Sequence, residues 1–128
     1  MTIFRSHEVE FRPADPQSFV GPAQTRLLAS SSEGVPAHVY HVKFEDGART
    51  NWHTHSGPQW LFVVEGRIRI QVWGQAAQDA AAGDAIVIPP GEKHWHGAVA
   101  GERGVHIAMN VNAQTTWLEP VSDTDYGG

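Results

Sequence analysis

Apolar and polar residues along this chain trade places with a period of two far more often than with a helical period, and Gly and Pro cut the alternating runs into short pieces. His38-Val39-Tyr40-His41-Val42-Lys43-Phe44 is one such run; its even positions make a mostly apolar face, and His41 and Lys43 are expected to look towards water. Leu61-Phe62-Val63-Val64 is apolar on both faces and predicts a strand covered on both sides, while Arg67-Ile68-Arg69-Ile70-Gln71-Val72 alternates cleanly. Ala85-Ile86-Val87-Ile88 is a short strand stopped by Pro89-Pro90. Val105 to Val111 alternates again, with Val105, Ile107, Met109 and Val111 read as core and His106, Ala108 and Asn110 on an inward face whose small and polar residues suggest a cavity. The Ala-rich stretch Gln75 to Ala82 carries no apolar stripe and lies between Gly74 and Gly83, which predicts a hairpin connection, not a helix. Residues 1 to about 30, with Pro13, Pro16, Gly21 and Pro22, read as an irregular arm with the first strands, and the tail from Val121 to Gly128 has room for one helical turn capped by Ser122. Many short strands with regular turns predict a single all-β domain over residues 1–128, a barrel or sandwich.

Bulk properties narrow the function. A chain of 128 residues makes one domain of ordinary size, and its net charge of −5 argues against a nucleic-acid partner. No run of about 18 apolar residues is present, so no membrane span is expected. The start, Met1-Thr2-Ile3-Phe4-Arg5-Ser6-His7-Glu8, turns charged too soon for a signal peptide, and no cysteine is present; both suit a cytoplasmic protein. Histidine stands out: eight in all, four of them in the two His-x-His pairs His53-Thr54-His55 and His94-Trp95-His96.

Those pairs carry chemistry. On a strand, residues i and i+2 share a face with Cα atoms roughly 6.6 Å apart, so His53 and His55 can converge on one ion at bond lengths of about 2.1 Å. Gln59 has the same parity. A third nitrogen must come from elsewhere, and His94 follows Pro90-Gly91-Glu92-Lys93 in a second turn-to-strand segment. Candidate ligands are therefore His53, His55, Gln59 and His94.

Both segments resemble the two motifs of the cupin superfamily. The first runs Gly47, five residues, His53-Thr54-His55, three residues, Gln59, six residues, Gly66; the second runs Gly83, five residues, Pro89-Pro90-Gly91, two residues, His94. Residues 47–98 thus form the metal-binding motif core. The resemblance implies a double-stranded β-helix barrel, jelly-roll-like, with one divalent metal near its mouth, and a dimer or higher oligomer. Gln59 stands where the family pattern has glutamate, and Ala98 where it often has asparagine. Three imidazoles and an amide are all neutral, so the ion keeps its full charge. It is then held less tightly, polarises more strongly and favours an anionic partner such as an alkoxide, enolate or cyanide.

A narrower resemblance covers most of the chain. Gly47 to His55, Gln59, Pro90 to Ala98, His106 and the ending Trp117-Leu118-Glu119-Pro120-Val121-Ser122-Asp123 are similar to the small bacterial cupins that include manganese-dependent hydroxynitrile lyases. This implies cleavage of a cyanohydrin, a small-molecule substrate, to an aldehyde and cyanide. Manganese is the foremost metal, with Fe, Ni, Co and Zn as alternatives, because ligand type alone does not separate them. His106 is the candidate general base or acid, its plain alternative a satisfied core histidine. His96, in phase with His94, reads equally as a second base, a hydrogen-bonding support or a rim residue. His38, Tyr40, Val42, Ala108 and Asn110 are the candidate pocket lining. Trp60 and Phe62 fall on the face opposite Gln59, which suggests sheet packing or a subunit contact; Trp52, Trp73 and Trp117 are assigned to packing. An iron-dependent dioxygenase and a non-catalytic metabolite-binding module remain the alternative functions.

Overall fold

The structure, a computed structural model, describes residues 1–127. Among these residues the strands are β1 Arg12–Pro13, β2 Phe19–Val20, β3 Ala23–Ser31, β4 Ala37–Phe44, β5 Arg49–Thr50, β6 His53–His55, β7 Gln59–Val72, β8 Gln78–Ala81, β9 Ala85–Ile88, β10 His94–Ala98, β11 Gly104–Val111 and β12 Thr115–Trp117, followed by helix α1 Asp123–Gly127. Every pairing is antiparallel.

β7 is the spine, because both halves of the molecule pair with it. Its first half bonds to β11 and β9 and its second half to β10 and β8. The bend between them falls at Gly66, whose φ of 65° is left-handed backbone that a side chain resists, and a Cβ there would strike the Arg103 carbonyl. The order β1-β3-β4-β11-β7-β10-β5-β2 then curls the sheet into a half-barrel, the expected all-β class. Phe44, Leu61, Val63, Ile68, Ile88 and Trp95 are at most 2 % exposed. A second cluster joins Trp52 and Trp95 to Val121 and Tyr126 of the tail. The Ser122 hydroxyl accepts from the Asp125 amide at 3.1 Å, capping α1 as expected, and the Tyr126 hydroxyl donates to the Ala98 carbonyl at 2.6 Å. Gly128 lies outside the described residues. No helix among the described residues is long and apolar enough to cross a membrane.

Among the first strands of the N-terminal segment, β3 spans nine residues, Ala23–Ser31, and pairs along the whole of β4. Several expectations need correction. His41 and Lys43 do not face open water; Phe11 covers both, with its ring 4.8 Å from the His41 ring and 4.0 Å from the Lys43 ammonium. Of the β11 face read as core only Val105 is buried, while the face that carries His106 points inward to the cavity, as expected. His106, Ala108 and Asn110 are buried inside the barrel, whereas Ile107, Met109 and Val111 lie half-exposed on its outer surface. Trp60, Phe62 and Val64 of β7 share that outer surface, so this strand is covered on one side only. The Gln75–Ala82 stretch is a hairpin connection carrying β8, as its lack of an apolar stripe indicated.

Candidate metal centre

Strand register assembles the site from three segments. On β6, His53 and His55 turn inward and are buried on either side of Thr54. On β10, His94 stands directly opposite His53, and His96 follows two residues on. On β11, Asn110 pairs with Gln59 at the start of β7, and His106 pairs with Val63. The result is a buried cluster of imidazoles: ring centroids are 4.2 Å apart for His53–His94, 4.9 Å for His53–His55, 5.3 Å for His55–His94 and 5.2 Å for His53–His96.

Hydrogen bonds fix which nitrogens are free. His53 Nδ1 lies 2.8 Å from the Asn51 carbonyl and His94 Nδ1 2.8 Å from the Glu92 carbonyl. A carbonyl only accepts, so each Nδ1 carries the proton and each Nε2 keeps its lone pair for the site. The Gln59 amide nitrogen donates to Asn110 Oδ1 at 2.7 Å, which turns Gln59 Oε1 towards His94 Nε2 at 3.3 Å. Two lone-pair atoms face one another there, an arrangement that suits a shared cation. His55 Nδ1 and His96 Nε2 are buried with no hydrogen-bond partner. Donor nitrogens of His53, His94 and His96 all lie within 4.8 Å of one another, a grouping outside which His55 falls. The donor set therefore fits a divalent ion with nitrogen and amide ligands.

Burial keeps these rings neutral, the form that ligates. It draws His55, His94 and His106 down to about 4. His53 and His96 fall well below the ordinary histidine range, chiefly through burial, with repulsion from His94 and His106 respectively adding to it.

Beside the cluster lies a cavity of about 340 Å³, lined by Tyr40, Val42, Ala108 and Asn110 together with His53, His55, Gln59, His96 and His106. Phe19, Thr25, Thr115 and Trp117 complete its lining. His38 is not part of it; it is exposed and opens onto a separate groove with Pro36, Ser56 and Gln114. His96 and His106 share one hydrogen bond, His106 Nε2 to His96 Nδ1 at 2.9 Å, leaving His106 Nδ1 buried and without a partner. Trp117 does more than pack: its ring lies 4.6 Å from His53, and β12 sets the two residues opposite each other. Phe19 went unread and Trp117 was read only as packing, because neither has a partner near it in sequence.

Known proteins share this fold and sequence. A family model described as a cupin domain matches residues 40–110. A curated relative named (R)-mandelonitrile lyase, from Granulicella tundricola, is 41 % identical over 117 residues, covering 89 % of this chain and 88 % of that protein. A cupin-like protein from Thermotoga maritima has a crystal structure that superposes with a TM-score of 0.85 at 36 % identity, over 89 % of each chain. A protein described as a putative acetylacetone dioxygenase, from Methylibium petroleiphilum, shares the fold at a TM-score of 0.75 and 17 % identity, over 95 % of this chain and 86 % of that one.

Proposed function

The chain belongs to the cupin family, and from that premise we propose that it is a metal-dependent lyase that cleaves cyanohydrins to an aldehyde and cyanide. In this reading His53, His55, Gln59 and His94 hold one divalent ion, manganese foremost, and the ion when bound supplies a concentrated positive charge for an anionic oxygen or cyanide. Iron, nickel, cobalt and zinc suit the same donors. The working unit we propose is a homo-oligomer, a dimer or tetramer, and the substrate a small molecule.

The observation that carries the lyase reading is the buried, hydrogen-bonded His96–His106 pair on the cavity wall. Two neutral imidazoles joined by one N–H···N bond have one remaining proton between their outer nitrogens. His106 Nδ1 and His96 Nε2 are those outer nitrogens, so the pair always presents one proton acceptor and one proton donor. With His106 Nε2 donating to His96 Nδ1, His106 Nδ1 accepts the cyanohydrin hydroxyl proton. The oxygen's electrons form the carbonyl, and the C–C bonding pair leaves with cyanide. The shared proton moves across to His96 Nδ1, and His96 Nε2 gives its proton to cyanide. Aldehyde and hydrogen cyanide leave, no electrons are gained or lost, and the pair ends in its opposite tautomer. Neutrality of both rings is what makes this possible, and burial supplies it. His96 Nε2 carries a proton in this starting state, which is why His55 and not His96 is assigned to the ion.

The test is release of benzaldehyde from mandelonitrile with and without oxygen. Turnover independent of oxygen is expected, falling about a hundredfold or more in His106→Ala and in His94→Ala. Oxygen uptake with a diketone or thiol would instead mark a dioxygenase. Silence in both assays with a small molecule retained through purification would mark a binding module.

A further inference from the structure

Asn51 is 3 % exposed and sits where three parts of the chain meet. Its carbonyl oxygen accepts from His53 Nδ1 at 2.8 Å. Its side-chain amide nitrogen donates to the Gln17 carbonyl at 2.8 Å and the Leu118 carbonyl at 3.4 Å, and its backbone amide donates to the Ser18 carbonyl at 2.8 Å. Around it the Trp52 amide donates to the Glu119 carbonyl at 3.0 Å, and the Leu118 amide to the Trp52 carbonyl at 2.8 Å. The price of this junction is visible: Asn51 Oδ1 is buried with no partner.

We propose that Asn51 is a positioning residue for the metal centre, through which the segments Asp15–Phe19 and Trp117–Glu119 set the angle of the His53 ring. This rests on the reading that His53 is a ligand. The chemistry selects the residue. Its –NH₂ group donates to two carbonyls at once, while the backbone carbonyl of the same residue, two residues before the ligand, is held still. Aspartate would set a carboxylate against two carbonyl oxygens, and alanine would leave both without a donor. Trp117 closes the other side of the same ring, so His53 is held at Nδ1 by Asn51 and over its face by Trp117. A ring oriented in this way has its Nε2 aimed before any ion arrives, and loss of such an outer contact costs about 10- to 100-fold in metal affinity.

Coupling of this kind is reciprocal. An ion that favours the held orientation of His53 must in turn tighten the clasp between the two chain segments, and the amides of Trp52 and Leu118 report it. The experiment adds Mn²⁺ to metal-free protein, measures its affinity by manganese electron paramagnetic resonance, and follows hydrogen exchange at those two amides. Asn51→Ala is expected to bind Mn²⁺ about 10- to 100-fold more weakly. In the wild type Mn²⁺ is expected to slow exchange at Leu118 and Trp52, and in Asn51→Ala to leave it unchanged. A purely structural Asn51 would lower the melting temperature without uncoupling metal from exchange. Wild-type affinity in Asn51→Ala overturns the proposal, as does wild-type exchange at Leu118 indifferent to Mn²⁺. The latter needs no variant, and Asn51→Ser stands in if the alanine variant does not fold. A wild-type protein that binds neither Mn²⁺ nor Co²⁺ overturns the metal reading itself, whereas normal binding in Asn51→Ala with loss in His94→Ala overturns the role of Asn51 alone.

Discussion

Five histidines buried in one small barrel make the chain's stability a function of pH at the level of single residues. Burial lowers the affinity of His53, His55, His94, His96 and His106 for protons, with three of them drawn to about 4. The unfolded chain binds those protons near pH 6.5. Between these limits the unfolded state holds more protons than the folded one, so stability rises with pH. The contribution is complete above about 6.5 and is lost as pH falls towards 4, at up to about 1.4 kcal/mol per pH unit for each ring. Melting temperatures of metal-free protein are therefore expected to be level above pH 7 and to drop steeply below pH 6, and His106→Gln to make the drop shallower. A flat profile down to pH 4.5 would contradict the buried, neutral cluster. Much of this site was legible at the residue scale, because an imidazole pair at i and i+2 and an amide in phase with it advertise their chemistry by type and spacing. Asn51 was not, since it works through a backbone carbonyl that every residue has and through carbonyls supplied from both ends of the chain. His38 was misread as well: it is in phase with Tyr40 and Val42 and pairs with Asn110, yet it is exposed and lines a separate groove.

At the scale of elements, periodicity located strands well and oriented them poorly. β4, β7 and β9 were readable as alternating or continuous apolar runs, but β3 was hidden because a register shift between Leu27 and Ala29 breaks its alternation midway. For β11 the alternation and the inward polar face were legible, but the apolar face, also read as core, lies mostly on the outside. A period of two separates two faces without saying which lies inside, and here the ligand cluster and cavity place the polar face inward. The close approach of β5 to β10 is a second feature that spacing does not reveal. Gly97 lies opposite Arg49, and a Cβ built at Gly97 would stand 2.5 Å from both the Ala48 carbonyl oxygen and the Arg49 Cβ. Arg49 has little freedom to yield, being tied to the Gly47 and Val121 carbonyls at 3.0 and 2.6 Å and to Asp123 at 2.8 Å. Gly97→Ala is therefore expected to push the two strands apart at a cost of about 1–3 kcal/mol, seen by calorimetry as a melting temperature lowered by several degrees. His94 and His96 share the displaced strand, so metal affinity should fall in parallel. Unchanged melting would show that β5 moves aside freely.

At the scale of the whole molecule, the inward polar face has a consequence on the outside. A barrel that fills its interior with imidazoles and a cavity must turn part of its apolar inventory outward, and the outer face of β7, β9 and β11 is where it goes. Trp60, Phe62, Val64 and Val87 are 38 %, 39 %, 50 % and 51 % exposed. They are contiguous: Trp60 pairs with Val87 and with Met109, and Phe62 pairs with Ile107. Charge appears at the rim, where Arg103 bridges Glu45 at 3.2 Å and Glu65 at 3.4 Å. Contiguous exposed apolar surface of this kind marks an interface more often than a free surface. A two-fold axis sets a surface against its own copy; an uncharged apolar face meets itself without like-charge repulsion, which a charged face would not. The expected outcome is that wild-type protein at tens of micromolar runs at the mass of a dimer or tetramer in analytical ultracentrifugation. Phe62→Glu should run as a monomer. Its side chain points away from the cavity, so the variant should keep its Mn²⁺ affinity and its circular dichroism, separating loss of assembly from loss of fold. A wild-type protein of monomer mass, or a Phe62→Glu variant of unchanged mass, would show that this face stays open to water and that the barrel tolerates its own inside-out sheet alone.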